Sequence, residues 1–256
     1  MDAFRSTSKG GKSWLVWMVA LMLLGAGYIG KSEATPCASI PDSNGNGSLD
    51  FADLQAAGSC TIDGKTFDNF SFSNSGSGVP TPVPPGADQV KFVVIQTTNL
   101  DGFDFTMSLA TNGQGFSADV RLGYLVTCTG SDVPFSCIVD AELAMVGGGS
   151  NGGAARVDET YCKNGLVAGC LAANLGTLHV LQPGGSLTDG VDFNPALHSL
   201  GESKDINVSC NPGSATCSAS VSGVVNTVSQ APEPATLALL GAGLLGLGAF
   251  RRRRVS

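Results

Sequence analysis

The segment Ala118-Asp119-Val120-Arg121-Leu122-Gly123-Tyr124-Leu125-Val126-Thr127 shows the pattern that decides the fold. Val120, Leu122 and Tyr124 stand two residues apart, so an extended chain places these large apolar side chains on one face. Apolar or β-branched runs of this kind recur between clusters of Gly, Asn, Pro and Ser, at 90–98, 103–110, 118–127, 135–146, 155–161, 175–181, 205–210 and 219–228. Short runs separated by turn residues predict an all-β fold, an antiparallel β-sandwich.

Other secondary structure is scarce in the sequence. One short N-terminal helix is expected near residues 49–57. The stretch 73–88 contains Pro80, Pro82, Pro84 and Pro85, and we expect a loop there that separates a small N-terminal piece from the rest. Residues 35–230 are numerous enough to enclose one hydrophobic core.

Charge is distributed unevenly along the 256 residues. Eight of the 14 basic residues lie near the two ends, so residues 35–230 keep six basic and 18 acidic residues, a net charge of −12. Such a body repels phosphate backbones, which argues against a nucleic-acid partner.

Residues 1–34 have the features of a signal peptide. A basic head with Arg5, Lys9 and Lys12 precedes an apolar run at 14–29, and small residues favour cleavage after Ala34. An uncleaved membrane anchor is the alternative. Export through signal peptidase is the prediction.

Residues 231–256 form a tail with three parts in order: Pro232-Glu233-Pro234, an apolar run at 235–250, and Arg251, Arg252, Arg253 and Arg254. A helix over the run would be about 24 Å long, against a hydrocarbon core of about 30 Å. We expect a short transmembrane helix whose arginines stay in the cytoplasm, so that residues 35–230 lie outside. A plain tail anchor with a chance Pro-Glu-Pro is the alternative.

This tail resembles the PEP-CTERM sorting signal of exported proteins in Gram-negative bacteria. The resemblance implies that an exosortase, an integral membrane enzyme, recognises Pro232, Glu233 and Pro234 and releases or transfers the protein. It also implies transient anchoring in the inner membrane, then a place in the cell envelope or extracellular matrix, with a link to exopolysaccharide and biofilm.

The body contains three characteristic stretches, at 60–72, 102–105 and 204–208. In these stretches it resembles uncharacterised proteins that carry the same tail, and this second resemblance implies an all-β body.

The eight cysteines predict disulfide bonds, since their number is even, no Cys-x-x-Cys occurs and the chain is expected to be exported. Consecutive pairing is the simplest of the 105 arrangements. It joins Cys37 to Cys60, Cys128 to Cys137, Cys162 to Cys170, and Cys210 to Cys217.

The segment 42–53 fits a calcium loop of the EF-hand or dockerin type. Its oxygen-bearing side chains at positions 1, 3, 5, 9 and 12 of the loop are Asp42, Asn44, Asn46, Asp50 and Asp53, and Gly47 stands at position 6. The alternative is an Asn/Gly turn with Asp50 or Asp53 at the start of a short helix.

Evidence for an enzyme is weak. Gly148-Gly149-Ser150-Asn151-Gly152 matches the Gly-x-Ser-x-Gly nucleophile motif, but a strand-like run follows where that motif needs a helix. His179 and His198 are the only histidines, and surface or structural roles fit both. A hairpin loop at Ser150 is the prediction, and a secreted hydrolase is a remote alternative.

These observations predict a non-enzymatic surface or matrix protein that is sorted through its tail and has no cofactor. A calcium- or carbohydrate-binding extracellular module is the alternative. Trp14 and Trp17 both lie in the signal, so the body has no tryptophan to stack on a sugar.

Overall fold

The computed structural model of the protein describes residues 35–78, 82–97, 100–129, 137–214 and 216–230. Within these ranges the chain forms eleven strands and one α-helix, α1 (Phe51–Ala57). The strands are β1 (Ser59–Ile62), β2 (Lys65–Ser77), β3 (Lys91–Gln96), β4 (Leu100–Asn112), β5 (Ser117–Cys128), β6 (Ile138–Ser150), β7 (Gly153–Lys163), β8 (Leu175–Gln182), β9 (Thr188–Leu197), β10 (Ser199–Cys210) and β11 (Ser218–Gln230).

The strands form two antiparallel sheets. The six-stranded sheet has the order β1-β2-β5-β10-β7-β8, and the five-stranded sheet has the order β3-β4-β11-β6-β9. Because the strands of each sheet alternate buried and exposed residues, their inward side chains meet in one core. The predicted all-β, antiparallel sandwich with a short N-terminal helix is confirmed.

Aromatic rings hold the two sheets together near the centre. Phe103 on β4 is fully buried, and its ring centroid lies 5.0 Å from that of Phe67 on β2 and 5.7 Å from that of Tyr124 on β5. Phe92 and Phe105 complete the group at 5.7 and 5.5 Å from Phe103. The pairs of Phe103 with Phe67, Phe92 and Tyr124 are edge-to-face, and such pairs stabilise a core beyond the area that they bury.

The predicted loop at 73–88 is wrong at its start, because β2 continues to Ser77. The N-terminal piece is not separate either, since β2 pairs with β5 inside the six-stranded sheet. The register shifts between Asp68 and Ser71, where Asn69 has a φ of 55°. This bulge brings Phe67 and Phe70 to the same side of the strand although they are three residues apart. The apolar residues of β2 therefore do not follow the two-residue spacing by which strands are predicted.

The sequence also failed to predict β1 and β9. β9 contains Gly190 and Pro195, which indicate a loop in a sequence, but it is an edge strand of the five-stranded sheet. An edge strand needs only one side of its backbone for pairing, so it tolerates proline.

Helix α1 starts and ends on local signals. The Asp50 side chain accepts a hydrogen bond from the backbone of Asp53, and the Asp53 side chain accepts one from the backbone of Asp50. Gly58 ends the helix with a φ of 73°, where its N–H donates to the carbonyl of Leu54. Phe51 and Leu54 point into the core, so the helix covers one part of the sandwich.

All four predicted disulfides are present: Cys37–Cys60, Cys128–Cys137, Cys162–Cys170 and Cys210–Cys217. Cys128 and Cys210 are the last residues of β5 and β10, and Cys162 is the penultimate residue of β7. These three bonds therefore close the loops that follow neighbouring strands of one sheet.

In the ranges that the structure describes, no helix has the length and apolar character needed to cross a membrane. The predicted signal peptide with its cleavage at Ala34, and the predicted transmembrane helix at 235–250, lie outside those ranges.

Candidate functional site

The sorting tail begins where a central strand of the sandwich ends. β11 lies between β4 and β6 in the five-stranded sheet, and its last residue is Gln230. The predicted sorting residues Pro232, Glu233 and Pro234, and the four arginines at 251–254, lie outside the described residues. The tail is therefore joined directly to one of the best-paired strands of the fold.

Four of the predicted calcium ligands lie in the loop before α1, and the fifth, Asp53, lies in the first turn of the helix. The amide groups of Asn44 and Asn46 each donate to Oδ2 of Asp50, both at 2.8 Å. Asp42 accepts hydrogen bonds from three backbone N–H groups of the loop, the shortest of them 2.6 Å from Gly47. The loop thus brings the side chains of Asn44, Asn46 and Asp50 together, whereas Asp42 binds the backbone of the loop.

Asp53 connects the far end of this loop to its beginning. Its Oδ1 accepts from the N–H and the hydroxyl of Ser43, both at 2.6 Å. Burial raises the pKa of Asp53, but the hydrogen bonds from Ser43 and Asp50 outweigh it and hold the pKa below its ordinary value. Asp50 and Asp53 also form the capping box of α1, as the alternative interpretation of this segment predicts.

Among the described residues, no group of three or more His, Cys, Asp or Glu side chains is placed to hold a metal ion. The calcium loop relies on two amides besides its carboxylates, so it stays a prediction.

Ser150 ends β6 in a tight hairpin, as predicted. Asn151 and Gly152 have φ values of 51° and 86°, which suits a two-residue turn between strands, and β7 starts at once. The Ser150 hydroxyl lies 2.9 Å from that of Ser218.

Within the described part of the chain, Ser150 and His198 do not form a catalytic pair. His198 precedes β10 and the Ser150 hairpin lies beside the other end of that strand, where Gly153 pairs with Cys210. The two therefore lie apart by about the length of a twelve-residue strand, roughly 36 Å. His179 is on β8, and its ring contacts the carboxylate of Asp158.

A buried polar cluster in the core was not predicted. We call it the Lys204 cluster; its members are Tyr124 on β5, Glu159 on β7, Glu202 and Lys204 on β10, and Asn226 on β11. Each is at most 2% exposed. Lys204 pairs directly with Glu159 across β10 and β7, and Glu202 pairs with Tyr124 across β10 and β5, whereas Asn226 comes from the facing sheet.

Contacts within the Lys204 cluster are close. The Lys204 amine lies 3.0 Å from Oε2 of Glu202, 3.5 Å from Oε2 of Glu159 and 3.3 Å from the Tyr124 hydroxyl. It also lies 4.4 Å from the centre of the Tyr124 ring. Asn226 donates from Nδ2 to Oε2 of Glu159 at 2.9 Å, and its Oδ1 accepts from the Tyr124 hydroxyl.

The charges of the cluster do not balance, because two carboxyl groups share one amine. Burial raises the pKa of Glu159 to about 8, helped by the charge of Glu202 and opposed by that of Lys204. Burial, with the charges of Glu202 and Glu159, also raises the pKa of Tyr124 well above its ordinary value. Oε1 of each glutamate is buried without a hydrogen-bond partner in the described structure. Groups perturbed in this way are enriched at functional sites.

A second buried ion pair lies beyond this cluster. The amine of Lys65 on β2 lies 2.6 Å from Oδ2 of Asp101 on β4, and both side chains are almost fully buried. Burial raises the pKa of Asp101 despite this partner. The pair joins the two sheets through β2 and β4, each of which is the second strand from one edge of its sheet.

A signal for the Lys204 cluster does exist in the sequence. Glu159 stands two residues from Val157 and from Tyr161, so it falls on the apolar face of its strand. Glu202 and Lys204 stand four and two residues before Ile206, so they fall on the same face of the strand. The predicted strand began at 205 and did not include them.

An open depression lies over β6, β9 and β11, with a volume of about 540 Å³. Its lining residues are Glu142, Leu143, Ala144, Thr188, Asp189, Gly190, Val225 and Thr227. No aromatic ring is among them, so this depression offers no stacking platform for a sugar.

Comparison with known proteins gives one finding. The PEP-CTERM protein-sorting motif matches residues 230–254, which contain the predicted Pro-Glu-Pro, the apolar run and the arginines. No curated protein and no solved structure matches the chain. The match starts at Gln230, the residue at which β11 ends. The chain therefore carries a PEP-CTERM protein-sorting motif, and this motif implies an exported protein that an exosortase processes.

Proposed function

We propose that the protein is a non-enzymatic component of the cell surface or extracellular matrix, delivered by exosortase processing and associated with exopolysaccharide. The sorting motif at 230–254 is the observation that carries this proposal. Signal peptidase removes residues 1–34, the tail spans the inner membrane transiently, and the sandwich remains outside the cell.

The body suits such a location. Four disulfides close its loops, and disulfides persist in oxidising compartments outside the cytoplasm. The net charge of −12 over residues 35–230 keeps it soluble among anionic polymers. Ser150, the candidate nucleophile, belongs to a hairpin and has another serine as its neighbour, which supports a role without catalysis.

The test compares the epitope-tagged protein in its host with and without the exosortase. With the enzyme, we expect the body in the envelope or matrix fraction, and mass spectrometry should show a new C-terminus near Pro232-Glu233-Pro234. Without it, the intact tail should keep the protein in the inner membrane. A Glu233→Ala variant should behave like the exosortase deletion. The control variant Glu142→Ala, which changes an exposed glutamate of β6, should be processed normally. Identical processing of all samples would contradict the proposal.

We further propose calcium binding by the loop 42–53 as a second function. The supporting observation is that the amides of Asn44 and Asn46 meet the same oxygen of Asp50. When the side-chain amide of an asparagine flips, its oxygen takes the place of its nitrogen. Both asparagines can then offer oxygen ligands beside Asp50, and Ca²⁺ prefers oxygen ligands gathered around one point.

Isothermal titration calorimetry of the purified protein tests calcium binding. We expect saturable Ca²⁺ binding in the wild type and in Asp88→Ala, an exposed aspartate outside the loop. Asp42→Ala should abolish it. Absence of binding to the wild type at millimolar Ca²⁺ would exclude the loop as a calcium site.

A further inference from the structure

The Lys204 cluster brings an amine and a carboxamide together in the core. Lys204 and Asn226 come from facing sheets and are 0% and 1% exposed, so bulk water does not separate them. Burying a lysine is costly, and a sandwich core needs no lysine for packing. This arrangement therefore calls for a chemical explanation.

The amine and the carboxamide share two partners. Oε2 of Glu159 lies 3.5 Å from the Lys204 amine and accepts a hydrogen bond from Nδ2 of Asn226 at 2.9 Å. The Tyr124 hydroxyl lies 3.3 Å from the same amine and donates to Oδ1 of Asn226. A carboxyl group thus bridges the nucleophile and the leaving nitrogen, while a hydroxyl polarises the carbonyl, which are the two requirements of acyl transfer.

We propose that Lys204 and Asn226 react to form an intramolecular amide cross-link between β10 and β11, with Glu159 as the catalytic acid and base. Lys204 first passes one proton to the carboxylate of Glu202, which lies 3.0 Å away. The free amine then attacks Cγ of Asn226, and the carbonyl electron pair moves to Oδ1, where the Tyr124 hydroxyl stabilises it.

The second half of the reaction releases ammonia. Glu159 donates a proton to Nδ2, the Cγ–Nδ2 bond breaks and the carbonyl re-forms. Nζ then returns a proton to Glu159, so Glu159 is regenerated. Glu202 passes the proton that it took from Lys204 to the released ammonia. The sum is a lysine ammonium plus a carboxamide giving a secondary amide plus ammonium, and no oxidant or reductant is needed.

The environment of Glu159 suits this role. Burial raises its pKa to about 8, so the group holds a proton at neutral pH and is ready to donate it. Its Oε1 has no hydrogen-bond partner among the described atoms. The unfolded chain does not bring these groups together, so the reaction follows folding and orientation provides its main advantage.

The bond would connect the two sheets covalently through a strand that continues into the tail. β11 ends at Gln230, where the sorting motif begins. Any force on an attached C-terminus enters the sandwich through this strand.

Peptide mapping of the exported protein tests the proposal. After reduction of the disulfides, thermolysin cuts beside Ile206, Val208 and Val221, which lie between the two reacting positions. We expect two joined peptides, one with Lys204 and one with Asn226, lighter than their sum by about 17 Da, the mass of ammonia. Trypsin should no longer cut after Lys204.

Variants assign the catalytic role. Glu159→Gln keeps the shape and the neutral charge of the protonated acid, and its fold is checked by circular dichroism. We expect cross-linking to be slower in it by about 10²–10⁴-fold. Lys91→Arg, at an exposed lysine of β3, should cross-link like the wild type.

Three results would contradict the proposal. Separate, unmodified Lys204 and Asn226 peptides from the folded wild type would show that no reaction occurs. A loss of about 18 Da, the mass of water, would join Lys204 to a glutamate and refute Asn226 as the acyl group. Unchanged cross-linking in folded Glu159→Gln would refute the role of Glu159.

Discussion

The buried glutamate on β7 should make the protein less stable as pH rises. Glu159 is fully buried, and burial raises its pKa to about 8 in the folded state, against an ordinary value of 4.5. Between these values the folded chain holds a proton that the unfolded chain has released. Its stabilising contribution is therefore complete below pH 4.5 and is lost as pH rises through 8. Glu159→Gln removes this titration and should flatten the dependence.

The size of the effect follows from proton linkage. A difference of one bound proton changes the free energy of unfolding by about 1.4 kcal/mol per pH unit. Between pH 6 and pH 8 the wild type should therefore lose on the order of 2 kcal/mol that the Glu159→Gln variant keeps. Asp119 also has a raised pKa, to about 6, because of burial and the nearby Asp205, so comparison above pH 6 separates the two groups.

Urea unfolding at pH 6, 7 and 8 with intact disulfides measures this difference. The unfolding midpoint of the wild type should fall with pH while its denaturant slope stays constant. Glu142→Gln is the matched control, because Glu142 is an exposed glutamate on β6, and it should follow the wild type. Parallel curves for the wild type and Glu159→Gln would refute the reasoning, since Glu159 would then be ionised in both states.

Three further predictions concern stability. Phe103→Ala should cost about 3–5 kcal/mol in urea unfolding, because its ring contacts those of both sheets, whereas Val93→Ala, at a residue that is 61% exposed, should change stability by less than about 0.5 kcal/mol. Replacing Cys210 and Cys217 by serine should lower the free energy of unfolding by about 2–3 kcal/mol, because the bond closes a short loop. The far-ultraviolet circular dichroism spectrum should change little. Asp50→Ala should cost about 1–2 kcal/mol by removing the cap of α1; an unchanged urea midpoint would show that the cap adds nothing.

Local patterns in the sequence predicted much of the fold. Val120, Leu122 and Tyr124 all point inward from β5, as their two-residue spacing indicates. The disulfides were predictable because each joins cysteines that are neighbours along the chain and close a loop of at most 23 residues. β2 was not predicted because the bulge at Asn69 breaks the two-residue spacing of its aromatic residues. β9 was not predicted because Pro195 indicates a loop, although an edge strand tolerates it.

The sequence by itself determined most of the strands of the body, how its cysteines pair and which sorting motif the tail carries, because each depends on residues close together in the chain. Only the tertiary structure decided that Glu159, Lys204 and Asn226 meet in one buried cluster. Glu159 and Lys204 become neighbours through the pairing of β7 with β10, and Asn226 arrives from the facing sheet. Such contacts depend on strand order and on how two sheets stack, which no local period encodes.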